Sequence, residues 1–122
     1  MKKVLVLMAL VALILTACGA GVVLPEGVAQ ALDARADAYE AQFPGEVDWN
    51  IARICLDKPE ALYWNDAIQT YAVACVIKAF PDTYGIVLVD VNGVVLNTEH
   101  ISAKSLTGLE ELIRGLGWVR QQ

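Results

Sequence analysis

The sequence predicts a small α+β domain in which helices pack on an antiparallel sheet. Three observations carry this. An alanine-rich stretch, 25–43, has helical spacing and closes on Pro44-Gly45. Two valine-rich runs flank Asn92-Gly93, the strongest short-range hairpin signal. Leucine and isoleucine then recur at helical spacing over 106–116, behind two hydroxyl residues able to cap a helix. A chain of 122 residues holds one domain. The expected order is an N-terminal helix, a short helix, a three-stranded antiparallel meander and a C-terminal helix.

The chain opens on an address. Lys2 and Lys3 precede an uncharged apolar run, 4–15, and the run ends in Leu15-Thr16-Ala17-Cys18-Gly19. A basic head, an apolar core and a small-residue cleavage site make a secretory signal peptide. The ending resembles the bacterial lipoprotein signal, Leu-(Ala/Ser/Thr)-(Gly/Ala)-Cys, with every position matched. That resemblance covers residues 1–19. It implies removal of 1–17, a thioether from Cys18 to diacylglycerol, and acylation of the new amino group by a chain of the palmitate kind. Two other readings compete. Residues 4–24 are long enough for an uncut spanning helix, although Gly19 and Gly21 interrupt it. An ordinary signal peptidase would instead release a soluble protein.

Residues 18–24 read as the lipidated cysteine and a short linker, which spans roughly 20 Å when extended. Residues 25–122 read as the folded domain. Pro25 suits the first turn of a helix, where its missing donor costs nothing, and Glu26 suits the positive end of the dipole. Val28, Leu32, Tyr39 and Phe43 fall on one stripe; Asp33, Asp37 and Glu40 fall toward solvent. Residues 47–56 fit helix and strand periods about equally, and the reading chosen is a short helix. Residues 57–66 read as a connection, with Pro59 and Asn65-Asp66 as turn signals and Tyr63-Trp64 plugging the edge of the core.

Residues 69–80, rich in Val, Ile, Tyr and Ala, read as the first strand. Pro81-Asp82 fits the centre of a type I turn. A two-residue type I′ turn at Asn92-Gly93 would pair Val91 with Val94, Val89 with Leu96 and Val87 with Thr98. The strand 86–91 is apolar on both sides and should be central. The more polar 94–101 should be an edge, and helices should cover the Val87/Val89/Val91 face. Ser105 or Thr107 caps the last helix. Gly117 suits its left-handed end, and Trp118 can fold back onto the last turn.

Without Lys2 and Lys3 there are seven basic side chains against fourteen acidic ones, a net charge near −7. That balance argues against nucleic acid as a partner. Of three cysteines, Cys18 goes to lipid, and the even remainder in an exported domain points to a Cys55–Cys75 disulfide. The alternative is a pair of buried thiols. His100 and Glu99 point to opposite faces of a strand, so they make no metal pair, and Asp90 at a hairpin end reads as turn chemistry. No nucleophile has a recognisable base, and Gly115-Leu116-Gly117 ends a helix instead of opening one. No catalytic residue, metal ligand or cofactor is assigned.

Cys55, Cys75, the Gly85-Ile86 strand start and the Gly117-Trp118 ending resemble small uncharacterised α+β domains of phage and mobile elements. That resemblance implies no activity or ligand, and with it the chain could be phage-encoded. The functional expectation is a membrane-anchored extracytoplasmic lipoprotein that binds a protein or envelope component without catalysis. Its partners would be the lipid bilayer, through acylated Cys18, and one protein. It would sit on the cell membrane or outer membrane, facing periplasm or exterior. A structural accessory subunit and an enzyme with an unrecognised site are the alternatives.

Overall fold

The computed structural model describes residues 21–122; the expected signal peptide, 1–17, and Cys18, with its expected lipidation, lie outside the described residues. Among the described residues the order is α1 (Glu26–Gln42), a single 3-10 turn (Val47–Trp49), α2 (Ile51–Asp57), β1 (Ala61–Asn65), β2 (Thr70–Val76), β3 (Thr83–Asp90), β4 (Val95–Ser102), α3 (Leu106–Arg114) and β5 (Val119–Arg120). The strands form one sheet in the order β4-β3-β2-β1-β5, with every neighbouring pair antiparallel.

The three-stranded meander is therefore incorrect: the sheet has five strands. The stretch 57–66 is not a connection, because Ala61–Asn65 pairs along its whole length with Thr70–Ala74. Pro59 and Asn65-Asp66 bracket this strand instead of forming a loop. The Asn65 side chain accepts from Ala67 N at 3.1 Å, and Gln69 takes a positive φ of 51° to close the turn. A five-residue strand buried on both faces has no polar alternation to reveal it. The fifth strand, two residues long, carries no pattern of its own. It adds to the free side of β1, where Gln121 N donates to Leu62 O at 2.7 Å and Leu62 N donates to Gln122 O at 3.0 Å.

The β3–β4 hairpin also differs from the type I′ expectation. Only Gly93 has positive φ (78°), and Gly93 N donates to Asp90 O at 3.1 Å, so the loop is the three residues Val91-Asn92-Gly93. Asp90 decides this: one of its carboxylate oxygens accepts from both Asn92 N and Val94 N, at 2.9 and 3.0 Å. Val89 consequently pairs with Val95, not Leu96, and Val91 does not face Val94. A bulge that leaves Leu96 unpaired then restores the Val87–Thr98 register. Pro81-Asp82 is not a type I centre either, because Asp82 lies at φ 49°.

Helices cover both faces of the sheet, not one. Val28 and Leu32 of α1 and Ile51 and Cys55 of α2 pack on Leu62, Val73, Val87 and Val89. Leu109 and Ile113 of α3 pack on Tyr63, Ala72, Ala74 and Ile86 of the other face, with Trp118 against them. The chain leaves β4 at one edge and re-enters the sheet as β5 at the other, and α3 carries it across. Val91 sits in the turn, 56% exposed and uncovered. In α1 the inward contacts are Val28, Ala31, Leu32 and Ala36, while Phe43 lies exposed beyond the helix. Small alanines let the helices approach closely, and the expected Tyr39/Phe43 end of the stripe overshoots the core.

Two features seat α2 on the sheet. Cys55 and Cys75 are disulfide-bonded, with a Cα–Cα distance of 4.9 Å, and both are fully buried. Gly85 of β3 lies beneath them. A Cβ there would sit 2.7 Å from Ile51 Cγ2 and 2.8 Å from Ile77 Cδ1. The helix therefore rests where only a glycine leaves room.

Candidate functional site

The turn Val47–Trp49 is held from inside by its neighbour. Gly45, with φ 85°, redirects the chain after α1. Asn50 is buried: its Nδ2 donates to Ala36 O at 3.1 Å, and its Oδ1 accepts from Arg53 N at 3.3 Å as the N-cap of α2. Arg53 adds ion pairs to Asp33 and Asp37 of α1, at 3.0 and 2.7 Å, so the acidic side of that helix is bridged to α2. With Asn50 pinned, Val47 and Trp49 are left outside, 71% and 47% exposed.

Trp49 meets two further rings. The Phe80 centroid lies 5.0 Å away, tilted, and His100 stands edge-on at 5.1 Å. Phe80 and His100 are 6.2 Å apart, also edge-on. These are the geometries aromatic pairs prefer. The Phe80 turn is fixed by Phe80 N donating to Ile77 O (3.2 Å) and Ile77 N donating to Thr83 O (3.0 Å). His100 stands on β4, opposite Gly85. Beside the rings opens a cleft of about 410 Å³, whose walls include Val47, Ile54, Val76 and Ile77, with Lys58 and Lys78 also lining it. The whole is an apolar and aromatic surface interspersed with charge, suited to taking a side chain from a partner.

The edge strand next to it is blunted. Asn97 Oδ1 accepts from Thr98 N at 2.9 Å, and Asn97 Nδ2 donates to Glu99 at 2.7 Å. With the bulge at Leu96, this opposes addition of another strand. Recognition here belongs to side chains.

A second polar cluster ties the last strand to the body. Tyr63 is buried and its hydroxyl donates to Glu110 Oε1 at 3.0 Å; Arg120 also bonds Glu110. Burial, and then the hydrogen bond to Glu110, pushes the Tyr63 phenol up. Burial alone would push Glu110 up as well, but the hydrogen bonds from Arg120 and Tyr63 outweigh it and hold the carboxyl below its usual range. This cluster docks α3 and β5 on β1.

The two domain cysteines come together as a disulfide. Tyr63 and Trp64 are not a joint plug: they point to opposite faces, Tyr63 to Glu110 and Trp64 to Tyr71, whose ring is 4.6 Å away. His100 is exposed but packs on Trp49, and Glu99 bonds Asn97. Asp90 is turn chemistry. The residues that sequence reasoning misses are Trp49 and Phe80. Trp49 lies in the stretch of ambiguous period, and tens of residues separate the three rings, so no local signal joins them. Among the described residues no helix is long and apolar enough to cross a membrane. The chain matches no protein-family model, no curated protein and no solved structure.

Proposed function

We propose that this protein is a lipid-anchored extracytoplasmic module that binds a protein or envelope component without catalysis, through the Trp49–Phe80–His100 surface. Two things support the reading. The segment Leu15-Thr16-Ala17-Cys18 supplies the anchor. The exposed Trp49 and His100 rings, resting on half-buried Phe80 beside the cleft, supply the recognition surface, and they are the observation that carries the proposal. Single exposed apolar residues are ordinary. Here a tryptophan, a phenylalanine and a histidine from three distant segments stay together at the surface, next to exposed Val47. Contiguous patches of this kind mark interaction sites, and tryptophan leads the residues that dominate binding energy.

Crosslinking in intact cells tests this. A photoreactive residue at Val47 of the full chain should give one stoichiometric protein adduct, and the same probe at Ile68 should give none. Trp49→Ala should weaken the interaction by about 2 kcal/mol, roughly thirtyfold. Equal adducts from both positions, or undiminished binding by Trp49→Ala, would remove this surface from the account.

A further inference from the structure

The residues read as a linker are partly built into the domain. Val22 and Leu24 pack against the core. Between them, both backbone groups of Val23 are bonded by one side chain: Val23 N donates to Gln122 Oε1 at 3.0 Å, and Gln122 Nε2 donates to Val23 O at 2.6 Å. Gln122 is itself held, since its backbone oxygen accepts from Leu62 N at 3.0 Å. Three residues, Gly19, Ala20 and Gly21, separate Cys18 from Val22 in the sequence.

We propose that this clamp orients the domain on the lipid surface, with the β5 edge toward the headgroups and the aromatic cluster presented away from them. The inference rests on the lipidated Cys18 of the proposed function. A tether from Cys18 to Val22 reaches at most about 14 Å. A domain of this size has a radius of gyration of about 13 Å, so so short a tether does not reach round to the far side. The membrane therefore meets the side where residue 22 emerges. That side carries Gln122 and β5, and it exposes two valines, Val23 and Val119, the latter 61% exposed. Apolar side chains there suit contact with the headgroup boundary. His100 stands on β4, at the other end of the strand order. Were the clamp absent, residues 22–24 would join the tether, lengthen it to about 24 Å and let the domain tumble.

The test uses the full acylated chain, isotopically labelled, in phosphatidylcholine nanodiscs with gadolinium-chelate headgroups. Four strand spacings place β4 about 19 Å beyond β5, so amides of residues 97–101 should be broadened about tenfold less than those of 119–122. Gln122→Ala removes only an exposed side chain, and the amide spectrum itself reports that the fold persists. In that variant the contrast should collapse. Equal broadening of both edges in the parent protein, or an unchanged contrast in Gln122→Ala, would overturn the clamp while leaving the lipid-anchored reading intact. A chain that carries no lipid and does not enter the disc would overturn both.

Discussion

Reducing the Cys55–Cys75 bridge should cost this domain about 3 kcal/mol. The figure comes from the closed loop. The two cysteines are separated by 20 residues, and cross-linking a loop of that length removes about 11 cal/mol/K of chain entropy from the unfolded state, which is about 3 kcal/mol at 25 °C. A small domain has a total stability of about 5–15 kcal/mol, so the loss is a large share. The structure also says where it falls first. Helix α2 has 7 residues, too few to hold itself together in water. It is kept in place by the disulfide, by Ile51 over Gly85 and by the Asn50 cap. Urea unfolding followed by tryptophan fluorescence, with and without reductant, measures the total. Each kcal/mol corresponds to about 4–8 °C in Tm for a domain near this size, so the thermal midpoint should fall by at least 12 °C. Hydrogen exchange on the reduced protein should show α2 losing protection before β2 and β3. Coincident midpoints for the oxidised and reduced forms would refute the reasoning, and so would uniform loss of protection.

Other perturbations follow from single contacts. Gly85→Ala places a methyl group 2.7 Å from Ile51 and 2.8 Å from Ile77, so the free energy of unfolding measured in urea should drop by about 1–3 kcal/mol as α2 is lifted. Asn50→Ala removes a helix cap and leaves Ala36 O without its buried partner; a loss of about 2 kcal/mol by the same assay is expected. The Tyr63–Glu110–Arg120 cluster should give a stability plateau with two shoulders. Glu110 is depressed in the folded state, so its contribution is complete above the unfolded value of about 4.3 and is lost as pH falls through the lower folded value. Tyr63 is raised, so its contribution is complete below about pH 10 and is lost as pH rises beyond that. Urea midpoints measured across pH should therefore decline at both ends, and Tyr63→Phe should remove the alkaline decline.

What the sequence discloses here is local chemistry. Pro44-Gly45 ends α1, Ser105 Oγ accepts from Gly108 N at 3.1 Å to cap α3, and Gly117 takes φ 96° after it; each is a property of a few adjacent residues. The disulfide is legible by arithmetic, once Cys18 is assigned to lipid. The missing strands are hidden for physical reasons. Ala61–Asn65 is buried on both faces, and Val119–Arg120 becomes a strand only because β1 offers an open edge. The hairpin misleads because Asn92-Gly93 favours one turn while the Asp90 carboxylate enforces another. The aromatic surface is the least legible part. His100 looks solitary in the sequence, and only the crossing of α2 over β3 brings Trp49 beside it.

The central claim is that this domain is carried on a lipidated cysteine. The most direct test is the intact mass and N-terminal peptide of the protein extracted from membranes of cells expressing the full 122-residue chain. The account predicts a mature N-terminus at Cys18 bearing diacylglycerol and an amide-linked acyl chain. An N-terminus still beginning at Met1, or an unmodified Cys18 in the soluble fraction, would contradict it.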